Sequence, residues 1–250
     1  MLLLMILSAF QPLNKSRDYV KTVVIDPGHG GKDPGCVFGT MYEKDIALEI
    51  SLELGRIIRE TLPDVKVVYT RNKDEFIGLF ERAEIANKSN ANVFISIHVN
   101  ANANTAAIGT ETWVMGLHKS DANLKQAMRE NSVIYLEDNY VEKYDGFDPN
   151  SPEAFIIFSL YQDAFLEQSL ILADKIENEF VNRVQRKSRG VKQAGFLVLW
   201  KTSMPSVLVE TGFISNKEDR DFISSKTGQV YLASAIFRAF RDFKKELESN

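Results

Sequence analysis

Residues 21–26 read KTVVID, and the runs NVFISIH (92–98) and SVLVE (206–210) repeat its character: short, apolar and rich in β-branched residues. Such runs are strands, and these three are apolar enough to be buried on both faces. VKVVYT (65–70) is a fourth, more mixed strand. Between them the spacing turns helical. Ile46, Ile50, Leu54, Ile57 and Ile58 share one face after Glu43, and Leu79, Ile85 and Ala86 fall in a second such stretch. Strand, helix, strand, helix predicts an α/β fold with a largely parallel sheet and helices on both faces. GTETWVM (109–115) and FLVLW (196–200) read as two further strands, and Thr227–Leu247 as a closing amphipathic helix.

With 250 residues, 44% of them hydrophobic, the chain can bury the core of a single domain. Its 34 acidic and 30 basic residues leave a formal charge of -4, which gives no electrostatic footprint for nucleic acid or an anionic membrane. The one cysteine, Cys36, excludes an intramolecular disulfide. MLLLMILSAF (1–10) is an uncharged apolar run, too short for a membrane-spanning helix, which takes about 20 residues. It reads as the hydrophobic part of an export signal, so residues 1–20 are expected to be a leader and the protein to work in the periplasm or cell envelope.

The polar residues that matter fall at strand ends. His29 lies in the turn PGHGG (27–31) after the first strand, His98 ends VFISIH and Glu210 ends SVLVE. In open parallel sheets ligands bind outside the carboxyl ends of the strands, so these three groups should converge on one edge. Two histidines with carboxylates suit a catalytic zinc, which takes three protein ligands and keeps a fourth position open. The histidines are 69 residues apart, so no short metal motif supports that reading, which leaves Glu43, Glu49 and Glu53 unresolved as carboxylate ligands. His118, after GTETWVM, is a rival ligand, and Cys36 shares a loop with His29.

Several separate segments also carry a resemblance. VVIDPGHGGKDPG (23–35), the Glu of YEKDIALEIS (42–51), TRNKDEFIGLFERAEIAN (70–87), FISIHVNA (94–101), GTETW (109–113) and VLVETGFISN (207–216) together resemble the zinc-dependent N-acetylmuramoyl-L-alanine amidases of the third amidase family. The resemblance implies that His29, Glu43 and His98 ligate Zn2+ and that Glu210 is the catalytic carboxylate. It implies peptidoglycan as substrate, cut at the amide between N-acetylmuramic acid and L-alanine, in wall remodelling or daughter-cell separation. It places an amidase catalytic domain over 21–250. Arg71, Arg82 and Asn100 are candidates for anchoring substrate, with ordinary ion pairing as the alternative for the arginines. Two other readings share the ligands or the cleft: a zinc peptidase on free peptides, and a catalytically silent peptidoglycan-binding protein.

From about 117 to 160 the pattern loosens into a partly helical insertion, broken by the DPNSP run (148–152). Excursions of this length are more often functional than structural. Leaving GTETWVM near the edge that holds His98, it carries Glu130, Glu137, Asp138 and Glu142, any of which is a candidate to occupy the open zinc position until an activator protein lifts the segment. Some division-associated relatives resemble this arrangement. A cleft wall or an idle surface loop is the alternative.

Overall fold

In the computed structural model, which describes residues 20–151 and 164–249, one six-stranded sheet organises the chain. In chain order the elements are β1 (Thr22–Pro27), the small hairpin β2 (Val37–Phe38) and β3 (Met41–Tyr42), α1 (Glu43–Thr61), β4 (Lys66–Tyr69), α2 (Leu79–Lys88), β5 (Val93–Asn100) and β6 (Thr110–Met115). They continue with α3 (Asp121–Asn131), a 3-10 turn (Ser132–Leu136), the short α4 (Tyr140–Lys143), α5 (Leu166–Asn182), β7 (Ser188–Ala194), α6 (Leu197–Trp200), β8 (Ser206–Phe213), α7 (Lys217–Ile223) and α8 (Lys226–Ser249). The strands lie in the order β4-β1-β5-β8-β6-β7. All neighbours are parallel except β6 and β8, so β6 and β7 run against the other four.

Two apolar layers flank this sheet, as its alternating side chains require. On one face Val23, Ile25, Ile95, Ile97, Val207 and Val209 meet α1, α5 and α8, whose Ile46, Ile50, Leu54 and Ile58 repeat at helical spacing. On the other, Val24, Phe94, Leu208, Trp113 and Met115 pack beneath α2, α6 and the insertion, which contributes Ala127, Val133, Ile134 and Tyr144. The α/β sheet with helices on both faces is therefore as expected, and strands β1, β5 and β8 are buried along their whole length.

Two expectations are corrected. FLVLW forms the single-turn α6, not a strand; a wholly apolar run of five fits either state, because it has no periodicity to read. The sixth strand is instead SRGVKQA, β7, whose half-exposed residues suit a sheet edge. β6 leaves the sheet at the edge opposite His98, since Glu111 pairs with Glu210 and Trp113 with Leu208. The insertion thus starts far from the strand ends that carry His98 and Glu210, and α3 brings it back. The described insertion stops at 151, so its reading to 160 is only partly covered, and the leader at 1–20 lies almost wholly outside the described residues. Among the described residues no helix is long and apolar enough to cross a membrane.

Candidate metal centre

The site is assembled from four places. β1 ends in the PGHGG loop that holds His29; α1 begins at Glu43; β5 carries His98 two residues before its end; and α3 contributes Glu130. All four side chains are buried, and one ligand atom from each lies within 4.8 Å of the others. His29 Nε2 is 3.2 Å from Glu43 Oε1 and 3.3 Å from Glu130 Oε2; His98 Nδ1 is 3.0 and 3.4 Å from the same two oxygens. A tetrahedral zinc with bonds of about 2.0–2.1 Å sets its ligands about 3.3 Å apart, which these four histidine–carboxylate separations match. His29 Nε2 and Glu130 Oε2 are buried with no hydrogen-bond partner. Such atoms are costly unless something else binds them, and a cation at the centre of the group would do so.

The backbone is shaped around this cluster. His29 sits at φ 59°, a left-handed conformation that a non-glycine residue adopts at a cost and that turns its ring inward. A Cβ on Gly28 would fall 2.5 Å from the His98 ring, so only glycine lets β1 and β5 approach so closely here. Asp33, four residues beyond His29, holds the other ring nitrogen: Oδ2 lies 2.7 Å from His29 Nδ1. That contact fixes the ring's orientation and makes it a better donor, as carboxylates behind metal-binding histidines do. Glu43 is fixed on both oxygens, Oε1 accepting from Val99 N at 2.8 Å and Oε2 from Cys36 N at 2.8 Å.

Charge follows from crowding. Burial alone would raise the Glu43 pKa, but His29 and His98 outweigh it and hold the carboxyl well below its usual range. Burial likewise opposes charge on His29, yet Glu43, Asp33 and Glu130 push its pKa well above the ordinary value. Glu130, buried but beside Arg129 and His29, is held down to about 2. Glu210 behaves oppositely. Burial first, then the negative charges of Glu130 and Glu43, push its pKa well above the usual carboxylate range. Its Oε1 accepts from Gln126 Nε2 at 2.6 Å, and its Oε2 is buried without a partner.

Other expected residues divide. Glu137 caps α2, accepting from Leu79 N at 2.9 Å and from Tyr144 Oη at 2.7 Å, while Asp138 and Glu142 are exposed; none of the three joins the cluster. His118 and Cys36 also lie outside it, and burial pushes the Cys36 thiol far up. Arg71 and Arg82, expected either to anchor substrate or to form ordinary ion pairs, face inward, 2% and 1% exposed. Arg71 donates to the carbonyls of Pro27, Gly28 and Lys44; Arg82 donates to those of Pro27 and His29 and pairs with Asp26 at 2.8 Å. They hold the His29 loop in place. Asn100 is buried too, its Oδ1 accepting from Arg129 Nη2 at 3.2 Å. Asp26, Asp33, Gln126 and Arg129 went unnoticed in the sequence; the i, i+4 spacing of His29 and Asp33 was the only signal for any of them.

The family of N-acetylmuramoyl-L-alanine amidases known as Amidase_3 matches residues 23–242. The chain belongs to that family. Family membership makes it a hydrolase of peptidoglycan, a cell-wall amidase with a buried His/Glu group suited to a metal ion. It is 32% identical over 238 residues to the probable amidase AmiB of Haemophilus influenzae, covering 89% of this chain but 52% of the relative, so it spans about half that protein's length. With the amidase AmiA of Escherichia coli it shares 30% identity over 230 residues, 90% of this chain and 77% of the relative. Among solved structures, an N-acetylmuramoyl-L-alanine amidase from Clostridium difficile 630 superposes with a TM-score of 0.67 at 29% identity, covering 90% of this chain and 97% of that one.

Proposed function

We propose that the protein is a zinc amidase described here in a closed state, with His29, Glu43 and His98 as ligands, Glu210 as the catalytic carboxylate and Glu130 as an internal fourth ligand. The bond cut is the amide between N-acetylmuramic acid and L-alanine. A zinc ion bound there would polarise the scissile carbonyl and acidify a water molecule. Glu210 takes a proton from the attacking water and delivers it to the leaving nitrogen; its unpartnered Oε2 and raised proton affinity suit both halves of that exchange. Asp33 orients the His29 imidazole, and Arg71 and Arg82 keep the His29 loop from moving.

The observation that carries the closed state is the count of ligands. A catalytic zinc keeps one position open, and here Glu130 takes it up, while Gln126 from the same helix occupies Glu210. Arg129 adds two anchors, donating to Ala101 O at 3.0 Å and to Asn100. Opening requires α3 to move, and an activator protein that engages the insertion is the partner this implies. Residues 21–250 act as one catalytic unit behind a leader at 1–20, exported to the periplasm or cell envelope where peptidoglycan lies, in wall remodelling or cell separation.

Metal analysis of the purified protein, combined with mass spectrometry of peptides released from peptidoglycan, tests the reading. Equimolar zinc and stem peptides with a free L-alanine amine are expected. Products cut at another bond, or a metal-free protein with full activity, overturn it.

A further inference from the structure

Next to Glu210 the same sheet face carries a second acidic position with an unusual neighbourhood. Glu111 of β6 pairs directly with Glu210 of β8, and such partners project to the same side. Glu111 is 3% exposed. Arg189 Nε donates to its Oε1 at 2.7 Å, and Lys192 Nζ donates to its Oε2. Two cations on one carboxylate leave a surplus positive charge. Both cations keep solvent-facing surface, 33% of the Arg189 side chain and 22% of that of Lys192. Each also rests on an aromatic ring, Arg189 over Phe213 and Lys192 over Trp113, both 5.1 Å from the centroid, which holds it in position before a ligand arrives.

The strand order turns this cluster into a direction. Crossing the sheet from β5 through β8 and β6 to β7, one meets His98, then Glu210, then Glu111, then Arg189 and Lys192. Amide hydrolysis needs the acyl carbonyl at the metal and the leaving nitrogen at Glu210. The chain beyond that nitrogen therefore runs past Glu210 toward β7. Strands stand about 4.8 Å apart, so β7 lies about 10 Å beyond β8. A peptide residue spans at most about 3.6 Å, and long cationic side chains reach back part of the way.

We propose that Arg189 and Lys192 form an anion subsite that receives a carboxylate of the leaving peptide about two residues beyond the cut bond. The proposal rests on the amidase reading above, which supplies the direction of the substrate. Glu111 is the positioning residue of this subsite: it gathers the two cations and keeps them off Glu210.

Paired synthetic muramoyl-peptides, alike except that the second residue bears a free carboxylate or its carboxamide, provide the test. Wild-type enzyme is expected to show a KM about tenfold lower for the carboxylate. Arg189→Gln and Lys192→Gln are expected to raise KM for that substrate alone, with kcat within about twofold and the carboxamide unaffected. A role confined to pinning β7 would reduce turnover of both substrates alike; that result, or a preference kept in both variants, overturns the subsite. Calorimetric titration of the two released peptides needs no turnover. Preferential binding of the acidic peptide that disappears in Arg189→Gln upholds the subsite even in a protein that cleaves neither substrate, whereas equal binding of both peptides by the wild type overturns it.

Discussion

Asp33 and Asp26 show how much of the centre depends on side chains that never touch the metal position. Asp33 holds the loop on both oxygens, Oδ1 accepting from Gly35 N at 3.1 Å and Oδ2 lying 2.7 Å from His29 Nδ1, and removing a carboxylate behind a metal-binding histidine usually lowers metal affinity about 10–100-fold. Asp33→Ala should therefore bind zinc more weakly by that factor while the fold persists, measured by competition with a chelating dye; unchanged affinity would show that the loop alone orients the ring. Asp26 is fully buried, where desolvation would raise its pKa, but Arg82, Ser96 and Thr70 together reverse the shift and lower it. A carboxyl whose folded pKa lies below its unfolded one stabilises the protein above the unfolded value, about 3.9, and that stability is lost as pH falls through the folded pKa. Asp26→Asn also strands the Arg82 charge in the core, at a cost of about 3–5 kcal/mol. Denaturant titrations from pH 2 to 7 should show a flatter acid limb in the variant; identical slopes would place the acid sensitivity elsewhere. At this scale the sequence exposed His29, His98 and Glu210, because an ionisable group after a buried strand stands out. It hid Asp26 and Gln126, whose roles exist only across contacts of 56 and 84 residues in sequence separation.

Among the elements, α3 is the one on which the proposed closed state turns. Its Ala127, Glu130 and Asn131 are buried, and Asn131 ties it to α6, donating to Gly195 O and accepting from Leu197 N, both at 2.8 Å. Glu130→Ala should keep the helix seated through these contacts yet free the fourth position, so basal release of labelled peptidoglycan fragments should rise severalfold. Asp138→Ala and Glu142→Ala should leave it unchanged, and Glu137→Ala should lower stability by about 1–2 kcal/mol through the lost α2 cap. A Glu130→Ala enzyme no faster than its parent would make α3 a wall of the cleft. The hydrophobic pattern revealed β1, β5 and β8 because they are continuous runs rich in β-branched residues, and α1 because its apolar residues keep a clean helical period. It misassigned FLVLW and passed over SRGVKQA, since an edge strand with one wet side reads as a polar loop. The reversed direction of β6 was not legible at all: strand polarity depends on the path of the connections, and no residue encodes it locally.

For the whole molecule, the pattern of strands and helices was enough to read the α/β sheet, and the strand ends were enough to find the edge that carries the site. What escaped was how the second layer closes over it, because the insertion's apolar contacts, Ala127, Val133, Ile134 and Tyr144, are scattered among polar residues without a period. A metal held by this group would be coupled to folding, since His29, Glu43, His98 and Glu130 come from the loop after β1, from α1, from β5 and from α3, which meet only in the folded chain. A ligand present at about 1,000 times its Kd adds about 4.1 kcal/mol, and each kcal/mol moves the Tm of a domain this size by about 2–4 °C. Chelation should accordingly lower Tm by about 8–16 °C in a calorimetric scan, reversibly on adding zinc; a melting curve indifferent to chelator would mean that the cluster does not bind a metal tightly. The antiparallel run of β6 has a last consequence. Because the insertion departs from the opposite edge of the sheet, the exposed Leu117 and the start of α3 sit at the outer end of an 11-residue lever about 16 Å long, whose inner end bears Glu130. If α3 closes the site as proposed, a regulator that grips that handle would act about 16 Å from Glu130, so switching the enzyme on and loading its substrate need not compete for the same space.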